Sequence, residues 1–196
     1  EIFEDEVCKY TAASHALAMN SATSALHVAC LALGVAPGDI VWTSPNTFVA
    51  SANCALYCNA IVDFVDIDLN TYNMSVQSLS EKLKKAKAKN MLPKILIPVH
   101  LSGQSCDMKK IRELSKQYNF KIIEDASHAI GSTYKGKPVG NCDFSDIAVF
   151  SFHPVKPITT AEGGMITTNN KEIYKKLLIY RTHGIHKISK AFKNKK

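Results

Sequence analysis

A mostly parallel β-sheet sandwiched between helices is the fold class that this sequence predicts, on three observations. The segments Ile95 to Val99 and Ile147 to Phe150 are apolar runs without the polar alternation of a half-exposed strand, as expected for strands covered on both faces. Stretches of helical length, Ala22 to Leu33 and Thr47 to Tyr57, are apolar on most sides and must also be covered. From Ile40 to Glu124, strand and helix patterns alternate as a βα array. With 196 residues, 46% of them hydrophobic, the chain can build one domain with a substantial core.

Taken in order, residues 2 to 12 read as an amphipathic helix through Ile2, Phe3, Val7 and Tyr10, followed by a strand from Ala16 to Met19. Asn20-Ser21 supplies the capping signal for the apolar helix Ala22 to Leu33, and Gly34 ends it. A strand from Ile40 to Thr43 stops at Ser44-Pro45, the helix Thr47 to Tyr57 follows, and a strand runs from Ile61 to Ile67. Leu79 and Leu83 mark the inner face of a helix from Val76 to Ala88, whose lysines form its wet side. Next come a strand Ile95 to Val99, a helix Met108 to Tyr118 opened by Asp107, and a strand Lys121 to Glu124. Gly131, Gly136, Pro138 and Gly140 then indicate a loop or short hairpin before the strand Ile147 to Phe150. A strand Met165 to Thr168 and a helix Lys171 to Arg181 complete the pattern, with no internal repeat and no domain boundary before about residue 184.

The net charge of +7 invites a nucleic-acid reading, but Lys187, Lys190, Lys193, Lys195 and Lys196 all lie in the last ten residues. Without them 19 basic residues face 17 acidic ones, so the body carries no electrostatic footprint for nucleic acid. Residues 185 to 196 read as a basic tail. The longest apolar run, Ala25 to Ala36, is too short to span a membrane and is interrupted by His27 and Gly34. Six scattered cysteines without a secretory signal read as free thiols in a reducing cytoplasm. Cys54 and Cys58 share a helix face, but no ligand set completes a metal site around them.

In an open α/β sheet ligands bind at the carboxyl ends of the strands, so the residues that follow strands are the informative ones. Ala22, Thr23 and Ser24 open an apolar helix, whose free N–H groups and positive dipole end suit a phosphate. Asp125 follows an apolar strand, where a carboxylate is costly unless something cationic meets it; the plainer reading is a cap for the turn into Ser127-His128. Ser151, His153 and Lys156 leave the strand Ile147 to Phe150 on a loop that Pro154 and Pro157 keep from becoming helical. A lysine held between prolines and desolvated there suits Schiff-base chemistry; an exposed loop lysine is the plainer alternative. Phe48 opens an apolar helix, a position usually in the core. No Gly-x-Gly-x-x-Gly follows a strand, which argues against a nicotinamide-binding domain.

The run FSFHPVKPITTAEGG, with IIEDASHAIGSTYKGKPVG upstream of it, resembles the DegT/DnrJ/StrS family of sugar-nucleotide aminotransferases over nearly the whole chain, up to about His183-Gly184. NSATSALH, TFVASAN, FHPVKPITT and EGG are similar to segments of its transaminases in pseudaminic acid biosynthesis. The resemblance implies the large domain of a fold-type-I (aspartate aminotransferase-like) enzyme using pyridoxal 5'-phosphate, over residues 1–184. It implies Lys156 as the Schiff-base lysine, Asp125 as the partner of the pyridine nitrogen, and Phe48 as an aromatic stacked on the ring. Thr23, its neighbours Ala22 and Ser24, and Ser151 would hold the phosphate, His128 would lie near the phenolic oxygen, and His153 would touch substrate or phosphate.

Glu162-Gly163-Gly164 would let the backbone pass close beside Lys156. Ala161 stands where the family more commonly has glycine. The implied substrates are a nucleotide-linked 4-keto sugar and glutamate, in a homodimer with shared active sites. Because residue 1 is Glu and the family's smaller C-terminal domain does not follow, the sequence reads as an internal fragment, incomplete at its N-terminus. The rival expectation is a non-catalytic regulator or an inactive fragment that keeps the fold.

Overall fold

The computed structural model of the protein describes residues 1–185. The elements are α1 (Ile2–Thr11), β1 (His15–Met19), α2 (Ala22–Ala32), β2 (Ile40–Thr43), α3 (Ala50–Leu56), β3 (Ile61–Phe64) and α4 (Val76–Ala88). They continue with β4 (Ile95–Ile97), α5 (Met108–Tyr118), β5 (Lys121–Asp125), the hairpin β6 (Thr133–Tyr134) and β7 (Lys137–Pro138), β8 (Ile147–Ser151), β9 (Gly164–Thr168) and α6 (Lys171–Arg181). Seven strands form one sheet in the order β1-β9-β8-β5-β4-β2-β3. The pairs β3–β2, β2–β4, β4–β5 and β5–β8 are parallel, while β9 runs antiparallel to both β8 and β1. The expected mostly parallel sandwich is therefore the fold. The basic tail lies outside the described residues from 186 onward.

Burial on both faces explains the lack of polar alternation. Ile95, Ile97, Ile123, Ile147 and Val149 point into a core shared with α2, α3 and α6. Their neighbours Trp42, Leu96 and Ile122 point the other way, into a core with α4 and α5. A third cluster packs Val7 of α1 against Phe150 and Phe152. The exception is β3, an edge strand whose Ile61 and Phe64 are exposed.

Three boundaries differ from the sequence reading by more than one residue, each for a local reason. α3 starts at Ala50 rather than Thr47, because the Thr47 hydroxyl bonds the Ser51 side chain at 2.8 Å and residues 44–48 form an irregular lip after Pro45. β3 stops at Phe64: the Asp66 carboxylate accepts the N–H of Ile67 at 2.8 Å and turns the chain out of the ladder. β4 stops at Ile97 before Pro98, and Val99 retains only an isolated bridge to Asp125. The lysines of α4 are not uniformly wet either. Lys82 lies 4.9 Å over the Trp42 ring and pairs with Asp63 at 2.7 Å.

The six thiols form no disulfide, and Cys30, Cys54 and Cys58 are buried in the core of α2 and α3. No helix among the described residues is long and apolar enough to cross a membrane.

Gly164 locks the sheet to α2. It pairs with Met19 and Ser151 in the neighbouring strands, and a Cβ on it would fall on the backbone of Ser21 and Ala22. Gly164→Ala is accordingly expected to cost about 1–3 kcal/mol through overpacking. Urea unfolding checks this; an unchanged midpoint would show that α2 is free to move away.

Candidate active site

The carboxyl ends of β1, β2, β5 and β8 and the start of α2 surround a cavity of about 300 Å³. β5 and β8 are adjacent and parallel, so the turns that follow them emerge side by side: Asp125 ends one strand, and the loop to Lys156 leaves the other. Asp125, His128, Ser151, His153 and Lys156 line the cavity together. Ala22 and Thr23 line it from the first turn of α2, and Phe48 from the lip after β2. Phe48 is 69% exposed, so it is not the core residue that its apolar helix suggested.

Ser24 is the one expected site residue that the structure keeps out of the cavity lining. Its N–H donates to the capping Ser21 hydroxyl at 3.1 Å, and its own hydroxyl bonds the Ser21 carbonyl at 2.9 Å and the Asn20 side chain. The cap thus consumes the Ser24 amide, whereas the Ala22 and Thr23 amides have no protein acceptor among the described residues. Two free N–H groups at the positive end of an 11-residue helix remain for an anion.

Asp125 is 4% exposed and makes no ion pair among the described residues. Its Oδ2 accepts from the Ser51 hydroxyl at 2.6 Å and its Oδ1 from the Ser127 N–H at 3.1 Å. Ser51 gives its proton to the carboxylate, so Thr47 donates in the 2.8 Å contact behind it. Two hydrogen bonds orient the carboxylate without neutralising it, and a buried charge of this kind calls for a cation.

Lys156 lines the same cavity half-buried, and no salt bridge engages its amine among the described residues. The prolines do keep this segment in turns, with the Lys156 N–H bonded to the His153 carbonyl at 2.9 Å. The desolvation expected of them is only partial. His128 accepts the Ser102 N–H at Nδ1, at 3.2 Å. Burial first, then the nearby Lys156 ammonium, hold its imidazole below the ordinary histidine value, against a smaller pull from Asp125. His153 is half-exposed, with Nε2 at 3.8 Å from Glu162 Oε1.

Ser51, Thr47 and Ser127 went unread in the sequence. The available signal was a hydroxyl on the buried face of an apolar helix, with a second hydroxyl four residues before it. Ala161 has φ 65, a left-handed backbone where the missing glycine of the resemblance would be unstrained.

The chain belongs to the DegT/DnrJ/EryC1/StrS aminotransferase family. The family's model matches residues 1–196. The chain is 48% identical over 185 residues to a UDP-4-amino-4,6-dideoxy-N-acetyl-beta-L-altrosamine transaminase of Campylobacter jejuni, covering 94% of this chain and 47% of that one. It is 42% identical to a GDP-perosamine synthase of Caulobacter vibrioides, over 93% of this chain and 47% of that one. Among solved structures, the Helicobacter pylori aminotransferase PseC, involved in pseudoaminic acid biosynthesis, superimposes with a TM-score of 0.84 at 36% identity, covering 96% of this chain and 49% of that chain. A family member from Brucella abortus gives a TM-score of 0.90 at 30% identity, over 96% of this chain and 50% of that chain. The chain spans about half the length of the curated relatives it matches.

The cavity fits the cofactor of that family. Pyridoxal phosphate brings a cationic ring nitrogen, a phosphate and an aldehyde; among the described residues, the cavity holds a carboxylate without an ion pair, helix-start amides without an acceptor and a lysine without a salt bridge.

Two stability effects follow from this geometry. Ser51→Ala removes a hydrogen bond to a buried carboxylate and is expected to cost about 1.5–3 kcal/mol in urea unfolding. An unchanged midpoint would mean that Asp125 is solvated from another side. Ala161→Gly relieves a left-handed alanine worth about 1–2 kcal/mol, raising Tm by about 2–8 °C; calorimetry that finds no rise would show the strain to be absent.

Proposed function

We propose that the protein is a pyridoxal-phosphate-dependent aminotransferase that moves an amino group from glutamate to a nucleotide-linked 4-keto-6-deoxy sugar, in surface glycan biosynthesis. One observation carries the reading: a buried carboxylate at the end of β5 and a lysine on the loop after the adjacent parallel β8, neither in a salt bridge among the described residues, line one cavity. A binding-only regulator would need the carboxylate and the helix start, but not the lysine. The sugar and its nucleotide are suggested by relatives named for UDP-4-amino-4,6-dideoxy and GDP-linked sugars.

In this reading the Ala22 and Thr23 amides, with the Ser151 hydroxyl, hold the cofactor phosphate, and Phe48 covers one ring face. Bound there, pyridoxal phosphate supplies an electron sink for the pair left when the donor's α-carbon loses its proton, and a carbon that carries nitrogen from donor to acceptor. Asp125, oriented by Ser51 and Ser127, keeps the ring nitrogen protonated and so keeps the sink deep. Lys156 Nζ takes up the α-proton and returns it on the other side of the exchange. The balance is glutamate plus keto sugar giving 2-oxoglutarate plus amino sugar.

The exposed apolar side chains Phe48, Val49, Val155 and Ile158 suit a surface that is covered in a homodimer with shared active sites. The six unpaired thiols suit the cytoplasm.

Cofactor-loaded protein given glutamate and a UDP- or GDP-linked 4-keto-6-deoxy sugar is expected to form 2-oxoglutarate and amino sugar in equal amounts. Protein that binds the cofactor but transfers no nitrogen to any such sugar would point instead to the regulator. Asp125→Asn is expected to retain part of the cofactor while losing at least about a hundredfold in turnover, since several kcal/mol of electrostatic stabilisation depend on the charge. Near-normal turnover would remove that role from Asp125.

A further inference from the structure

The loop of residues 100–106, between β4 and α5, carries two left-handed residues in succession, Ser102 (φ 52) and Gly103 (φ 89). Gly103 is required, because a Cβ there would stand 3.0 Å from the His128 carbonyl oxygen. Ser102 is the unusual member: a residue with a side chain adopts this backbone only when its surroundings impose it. The imposition is visible on both sides of the loop. Asn73, 3% exposed, accepts the Leu101 N–H at 3.1 Å and donates to the Gln104 carbonyl at 2.9 Å. His100, fully buried, accepts the Cys106 N–H on Nδ1 at 3.2 Å, and its Nε2 lies 2.7 Å from Glu124 Oε2. Glu124 is the neighbour of Asp125 on β5, so the loop is tied to the strand that carries the cavity's carboxylate.

What the strained residue does is turn its N–H onto His128 Nδ1. A backbone amide can only donate, so Nδ1 must hold its lone pair and the ring proton must sit on Nε2. The same logic fixes His100, whose Nε2–H donates to Glu124. We propose that the 100–106 loop is a tautomer clamp for His128, held by the buried His100–Glu124 pair and by Asn73, so that the imidazole offers the cavity a hydrogen-bond donor rather than an acceptor. His100, Glu124 and Asn73 are positioning residues, since they act through Ser102 and His128. The inference rests on the aminotransferase reading only for what His128 meets: an electronegative oxygen of the bound cofactor or substrate. The low-lying titration of His128 agrees with a neutral ring at pH 7.

Histidine labelled with ¹⁵N reports the tautomer directly by NMR in protein without cofactor, so the result is independent of whether the cavity takes pyridoxal phosphate. The wild type is expected to show His128 neutral and protonated on Nε2. The double variant His100→Phe with Glu124→Leu removes the pair without stranding a buried charge. It is expected to shift the His128 tautomer ratio roughly five- to tenfold toward Nδ1–H, the effect of losing about one net hydrogen bond. His100→Gln, which can still donate to Glu124, should retain more of the Nε2–H form. If the double variant does not fold, Asn73→Ala carries the same expectation. An Nδ1–H His128 in the wild type, or an unchanged ratio in a folded variant, would overturn the clamp.

Discussion

The cavity is organised around one electrostatic constraint: a carboxylate, Asp125, buried at the end of an apolar strand with hydrogen bonds but no ion pair among the described residues. Desolvating a charge costs several kcal/mol, and two neutral donors return only part of that. The fold bears the cost because the surrounding elements over-determine the site. β5 is flanked by β4 and β8, and Ser51 reaches Asp125 from α3, across the sheet's face. A cation placed against Asp125 would therefore bind to a prepared partner, and little would need to move.

The same economy shapes the rest of the site. β9 returns antiparallel between β1 and β8, and Gly164 at its start lets the strand pass against the first turn of α2. That contact brings the free amides of Ala22 and Thr23 to the edge from which Lys156 emerges. The loop after β4 repeats the pattern on the far side, with buried polar side chains holding a strained backbone next to His128. The buried carboxylate sits at the carboxyl edge of the sheet, while the two faces of the sheet are filled with close-packed aliphatic side chains.

Much of this was legible in the sequence. Helical apolar periodicity placed α4, α5 and α6 at their observed limits, although Asp107, expected to open α5, makes no side-chain capping bond and instead accepts from the Tyr134 hydroxyl at 2.7 Å. Legibility failed where side chains compete with the backbone: Thr47 delays α3, and Asp66 cuts β3 short. Asp125 and Lys156 stood out as charged residues after apolar strands, whereas Ser51 did not, since a serine within a small-residue helix reads as packing. Ser24 was assigned with its neighbours because adjacency in sequence looks like adjacency in space. Only hydrogen bonds in three dimensions show that the cap has already used its amide. The loop holding His128 was opaque for the same reason: its staples come from Asn73 and Glu124, far away along the chain.

The central claim is that Lys156 and Asp125 form one cofactor-binding centre, and the most direct measurement traps the cofactor where it binds. Protein incubated with pyridoxal phosphate, reduced with borohydride and digested is predicted to carry the pyridoxyl label on the peptide containing Lys156, and Asp125→Asn is predicted to lower its occupancy at limiting cofactor. Label distributed over surface lysines, or confined to another single lysine, would contradict the account.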